Sequence, residues 1–195
     1  MKVKITREIE VEIAPNVDLN GADLVGADLV GANLGGANLR NANLSYADFR
    51  RTDLKNADLN GADLVGANLG GANLIYANLP NANLRNANLR NANLRRTYLK
   101  NADLTVADLV GANLSDANLR GADLTDANLT DANLSGADLA GVNFKGAVLR
   151  NADLSGTNLR NTDFSDADFG YANLKGAKIS DLDQLAKVLG VVVHK

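Results

Sequence analysis

The chain has 195 residues, a length that fits one domain. Its formal net charge is −3, so it offers no excess of positive charge for nucleic acid or anionic membranes. It has no cysteine, which excludes disulfides, a thiol nucleophile and a thiolate metal site. Met1 to Asn16 lacks the apolar core of a signal peptide, and no apolar run is long enough to span a membrane, so we expect a cytoplasmic protein.

The first segment, residues 1–16, is predicted to contain one half-buried strand. Apolar residues share one parity and mostly charged residues the other, and the apolar set is Val3, Ile5, Ile9, Val11 and Ile13. The strand can bend near Thr6-Arg7, and Pro15 ends it. Two roles stay open: the strand caps the structure that follows, which we favour, or it pairs with a second subunit.

The second segment, residues 17–179, is one five-residue unit repeated without a break in phase. The unit is Ala-(Asp/Asn)-Leu-x-x, as in Ala22 to Gly26, and every fifth residue from Leu19 to Ile179 gives 33 repeats. The centre of a repeat is Leu with five exceptions: Phe49, Phe144, Phe164, Phe169 and Ile179.

A period of five fits neither regular element. On an α-helix the leucines would spiral around the axis, because five residues advance about 140° beyond a full turn. On a straight strand every second leucine would point to the opposite face. The chain must therefore bend once per repeat. The fifth position supplies the bend because it is mainly Gly, Asn or Asp, which tolerate positive φ, and Pro80-Asn81 fits a type II turn. Ala and Leu then face inward, and the Asp or Asn between them faces out.

These 33 units resemble the pentapeptide-repeat family over about 160 of the 195 residues. The resemblance implies an all-β fold, a right-handed, four-sided β-helix with four repeats per coil. The repeats would then make about eight coils and a rod of roughly 40 Å. Some relatives are acidic rods that imitate duplex DNA and bind type II topoisomerases such as DNA gyrase, although those proteins tend to have phase breaks, loops and Phe-rich centres that this chain lacks.

The third segment, residues 180–195, is predicted to be a cap. Ser180 fits a helix N-cap, apolar residues follow at helical spacing, and Gly190 is a stop signal, so we expect a helix over 181–189 that covers the last coil. The apolar Val191, Val192 and Val193 follow. They either pair along the last coil, which we favour, or form a dimer contact together with Leu189. The protein is thus a monomer or a homodimer through a terminal cap.

No constellation for catalysis, a cofactor or a metal is predicted. The only histidine is His194, and the aspartates recur at the second repeat position, where a solvent-facing ladder explains them. Nucleic-acid binding is disfavoured as well. The basic run from Arg85 to Lys100 would form a belt around all four sides, and the tyrosines also fall on four different sides.

One side of the predicted coil is acidic, since residues 20 apart share a side. Seven aspartates face Arg85 and Lys145 there, a net charge of −5, while each other side has between −1 and +1. We call these residues the acidic face: Asp23, Asp63, Asp103, Asp123, Asp126, Asp163 and Asp166. Duplex DNA carries one charge per roughly 1.7 Å, so a 40 Å mimic needs more than about 20. We therefore expect a non-enzymatic scaffold or protein-interaction module first, and a topoisomerase-binding DNA mimic second.

Two further expectations concern side chains at particular repeat positions. Thr52, Thr97, Thr157 and Thr162 replace the inward Ala, so their hydroxyls should bond to main-chain carbonyls. Phe144 and Phe164 lie 20 residues apart, so their rings should stack in successive coils.

Overall fold

The computed structural model describes residues 2–4, 10–180 and 186, and the repeats form a β-helix. Parallel bridges join each second-position residue to the residue 20 positions later, from Asp18↔Asn38 to Asp153↔Asn173, without a change of register. A coil therefore contains four repeats, as predicted. The longest paired stretch within the array is Asn158–Leu159 (β3) with Lys178–Ile179 (β4), also parallel.

The bend lies where the sequence predicts it. Every fifth residue from Asn16 to Gly176 has positive φ, and the residues before them do not. In the first corner of the array the Ala22 N–H donates to the Leu19 carbonyl (3.0 Å) across Gly21, whose φ is +65°. The hydrogen bond and the sign of φ both match a type II turn.

A repeat with Asp or Asn at its second position can use all five of its backbone N–H groups, as the repeat from Ala42 to Tyr46 shows. The first N–H closes the turn, the second donates to the preceding coil, and the third and fifth donate to the following coil. The fourth N–H, that of Ser45, donates to Oδ1 of Asn43 in the same repeat (3.3 Å). The second position is Asp or Asn because a buried or half-buried N–H needs an acceptor, and a side chain two residues earlier supplies one.

The core is a column of leucines lined by alanines. Leucines from Leu29 to Leu154 are fully buried, and the alanines two positions earlier are buried to a similar degree in the middle coils. This arrangement confirms the predicted inward pair. The four threonine hydroxyls also bond to carbonyls as predicted, and the Thr52 Oγ1 donates to the Leu29 oxygen at 2.7 Å. The Phe144 and Phe164 rings stack with centroids 6.4 Å apart.

The amino-terminal segment differs from the single strand expected. Two short strands, β1 (Lys2–Lys4) and β2 (Glu10–Glu12), pair antiparallel, with Val3 opposite Val11. Two paired strands keep the same parity here, because residues directly opposite each other have numbers of the same parity. The alternation in the sequence is therefore the same for one long strand and for this pair.

The predicted carboxyl-terminal cap lies mostly outside the described residues. Within 181–189 the structure describes Ala186, which is helical and buried. The predicted dimer contact of Leu189, Val191, Val192 and Val193 lies outside the described residues, as does His194, and it stays a prediction.

Val106 occupies a corner that its side chain disfavours. It has a φ of +60°, and a β-branched residue there is strained by about 1–2 kcal/mol. We expect Val106→Asn to raise the free energy of unfolding by about 1 kcal/mol, because Asn tolerates this conformation. Guanidinium chloride denaturation would measure the gain. Val110→Asn at a fourth position, where φ is not positive, is the control and should give no gain. An equal gain in both variants would contradict the backbone explanation.

Candidate interaction face

The structure brings the predicted acidic face together on one side of the solenoid. A continuous bridge ladder runs Asp23, Asn43, Asp63, Asn83, Asp103, Asp123, Asn143, Asp163, so all five second-position acids lie in one column. Asp126 and Asp166 occupy fifth positions of the same side, two coils apart, and both are exposed. The grouping therefore follows from the 20-residue register.

Each aspartate of this column accepts a hydrogen bond from the backbone N–H two residues later in its own repeat. Asp123 Oδ1 accepts hydrogen bonds from the Thr125 N–H (2.9 Å) and hydroxyl (2.6 Å). Asp163 is bound in the same way by Ser165, and these bonds hold the pKa of its carboxyl below the usual value, with Lys145 adding a smaller favourable charge. Because Oδ1 of Asp123 accepts both corner hydrogen bonds, its Oδ2 takes no part in holding the corner.

The charge of the column is not a requirement of the fold. Asn43 accepts the Ser45 N–H just as Asp123 accepts that of Thr125, so Asn and Asp are equivalent as corner acceptors. Asparagines also link coils, since the Asn38 Nδ2 donates to Asp18 Oδ1 at 2.8 Å. Folding therefore does not explain why Asp rather than Asn is concentrated on one side.

Arginine–aspartate ion pairs join neighbouring coils on the acidic face and on other sides, and the repeat pattern alone does not reveal them. Arg at a fourth position lies beside Asp 18 residues later, at the second position of the next coil. The pairs are Arg40–Asp58, Arg85–Asp103, Arg90–Asp108, Arg120–Asp138 and Arg150–Asp168. The signal in the sequence is the spacing of 18. Because these pairs are exposed to water, each contributes little to stability.

These pairs neutralise much of the basic belt. Arg85 and Arg90 each lie beside an Asp, at 3.9 Å and 3.0 Å. Arg96 contacts Asp116 (3.3 Å) and donates to the Tyr76 hydroxyl (2.8 Å), and that hydrogen bond is the main cause of the lowered pKa of Tyr76. On the acidic face, Arg85 pairs with Asp103, and Asp163 accepts the hydrogen bonds from Ser165 described above.

Within residues 2–4, 10–180 and 186 we find no group of three or more His, Cys, Asp or Glu side chains arranged to hold a metal ion. The same residues contain no helix of sufficient length and apolarity to cross a bilayer.

The fold and the surface together define a class: a β-solenoid repeat protein that presents long side-chain columns on flat sides. The pentapeptide-repeat profile matches eight copies over residues 14–41, 32–71, 67–105, 107–146 and 143–181. The chain belongs to the pentapeptide-repeat family, and membership implies a right-handed β-helix.

Several solved structures are similar to this chain. HetL, a pentapeptide repeat protein involved in heterocyst differentiation regulation in the cyanobacterium Nostoc sp. PCC 7120, is 32% identical over 86% of this chain and 91% of its own, with a TM-score of 0.45. A trypsin-treated form of QnrB1, a plasmid-mediated fluoroquinolone resistance protein, is 25% identical over 93% and 91%, with a TM-score of 0.47. Comparison with curated proteins gives no significant match.

Proposed function

We propose that this protein is a non-enzymatic, rigid solenoid that acts as a scaffold or interaction module and binds a protein partner through its acidic face. The proposal rests on the concentration of Asp on one side, at positions where Asn would serve equally well as the acceptor of the corner hydrogen bond. Parallel ladders and buried leucines hold the column in fixed register, so a partner meets a preorganised row of carboxylates.

Charge removal without structural change tests the proposal. Asp103→Asn, Asp123→Asn and Asp126→Asn together keep every corner acceptor and every tolerated φ while removing three charges. We expect this triple variant to lose the partner that the wild-type protein retains from an extract of its native host, because complementary charge contributes to such an interface.

The matched control removes three charges from another side. Asp18→Asn, Asp58→Asn and Asp138→Asn lie in one column of a different side and have the same corner role. This variant should retain the partner. Equal retention by both triple variants would show that the acidic face is not the binding surface, and equal loss would point to net charge alone.

A second candidate function is imitation of duplex DNA toward a type II topoisomerase such as DNA gyrase. It is supported by the net charge of −5 on the acidic face and by the 25% identity to a fluoroquinolone resistance protein. The charge density is its weakness, since seven acids lie where duplex DNA would present more than about 20. A gyrase supercoiling assay separates the candidates: inhibition lost in the acidic-face triple variant supports mimicry, and no effect at micromolar concentrations removes it.

A further inference from the structure

A recess interrupts the side next to the acidic face. Gly70 and Gly71 occupy the fourth and fifth positions of one repeat, so neither position carries a side chain in this coil. The rows of the adjacent coils, Arg50-Arg51 before and Arg90-Asn91 after, are about 9.6 Å apart, two ladder spacings. They enclose a concavity of about 460 Å³, which Val30, Asn68 and Asn88 also line.

Three guanidinium groups border this recess, and they differ in how they are held. Arg50 bonds to Asp48 of its own coil, with Nη2 2.7 Å from Oδ2, and Arg90 bonds to Asp108 of the next coil at 3.0 Å. Arg51 is exposed and has no carboxylate partner among the residues that the structure describes. A guanidinium has five donors, so all three arginines keep N–H groups for another acceptor, and Arg51 keeps a full charge.

The chain contains a natural control for this recess. Residues 26–39 and 61–74 are identical in sequence, so Gly35-Gly36 repeats the local sequence of Gly70-Gly71. The offset of 35 residues is not a multiple of 20, and the copy therefore lies on a different side. There the Asn16 side chain lies over Gly36, and the next coil presents Lys55 instead of arginine. The ring of cations around Gly70-Gly71 thus comes from coil register and not from local sequence.

We propose that the Gly70-Gly71 recess binds an oxyanion, a phosphate or a carboxylate, with Arg51 as its main ligand and Arg50 and Arg90 at its borders. The planar fork of a guanidinium matches two oxygens of either group. The two glycines contribute no side chains of their own, which leaves room for the anion between the flanking rows, and the amide groups of Asn68 and Asn88 lie beside Gly70. Because the recess is open to water, binding is weak, with a dissociation constant on the order of millimolar for a single small anion.

Glycine-selective ¹⁵N labelling of the full chain allows a direct test. Inorganic phosphate is titrated against sodium chloride of equal ionic strength, and the amide signals of Gly70 and Gly71 are compared with those of Gly35 and Gly36. Gly70→Ala and Gly35→Ala assign signals, since neither glycine has positive φ. We expect saturable shifts at Gly70 and Gly71 alone. Tetraglutamate in a parallel titration distinguishes the source: saturation at lower concentration than phosphate identifies a peptide carboxylate as the occupant, and the reverse identifies a phosphate.

Two variants separate a specific contact from general charge. Arg51→Asn keeps a residue that tolerates the φ of +58° and should weaken phosphate binding roughly tenfold. Lys55→Asn removes one cation beside Gly35-Gly36 and should leave the affinity unchanged. Shifts of equal size at both glycine pairs, no shift with either anion, or an Arg51→Asn affinity equal to wild type would each overturn the proposal.

Discussion

Leu104→Ala should lower the free energy of unfolding by about 3 kcal/mol, near the middle of the range for buried leucines. Leu104 is fully buried in the leucine column, with Leu84 and Leu124 at the same place in the adjacent coils. The surrounding chain has little freedom to close the cavity, because ladder bonds hold the coils apart: the Leu104 N–H donates to the Asp123 oxygen at 2.7 Å, and the Leu84 N–H to the Asp103 oxygen at 2.6 Å. Guanidinium chloride denaturation followed by circular dichroism would measure the loss.

Val25→Ala is the control for that experiment. Val25 is 52% exposed at a fourth position, so its truncation removes methyl groups from water rather than from the core. We expect a change below about 0.5 kcal/mol. A loss below about 1 kcal/mol for Leu104→Ala would mean that neighbouring coils collapse into the space, and the leucine column would then be less rigid than the ladder implies.

The architecture was predictable because one short pattern determines it. A period of five excludes helix and straight strand, and the small or φ-tolerant residue at each fifth position indicates the corner. The structure confirms the buried leucines and alanines, the 20-residue coil and the hydroxyl bonds of Thr52, Thr97, Thr157 and Thr162. Each of these features depends on position within the repeat, which the sequence displays directly.

Other features depend on relations that the pattern does not display. The role of the second position as acceptor for the fourth N–H requires knowledge of which N–H the ladder leaves unused. The arginine–aspartate pairs depend on residues 18 apart, so they emerge only after the coil length is known. The amino-terminal pair of β1 and β2 has the same apolar parity as one strand. The membership of the acidic face was predicted, whereas its independence from the corner hydrogen bonds became clear from geometry.

Deletion of residues 117–121 should abolish partner binding while the solenoid stays folded. The deletion removes one repeat and joins Asp116 to Ala122, and an Asp-Ala step is already native at 126–127. Every repeat on both sides keeps a Leu, Phe or Ile centre, so the core remains continuous. Residues after the deletion rotate by one side, however, which moves the later acids away from Asp23, Asp63 and Asp103. The deletion therefore divides the acidic face between two sides without substituting any of its residues.

The control deletes a complete coil, residues 82–101, and joins Asn81 to Ala102. Four repeats are lost, so the seven acids keep a common side although the rod is about 4.8 Å shorter. Both deletions should keep the circular dichroism spectrum of the wild-type protein, and the one-repeat deletion should stay close to it in thermal midpoint because only one nearest-neighbour unit is missing. Binding retained in the coil deletion and lost in the repeat deletion means that the partner reads the acidic face as one column. Binding retained in both would place the contact on a shorter stretch within one half of the rod, where a quarter-turn between the halves has no effect.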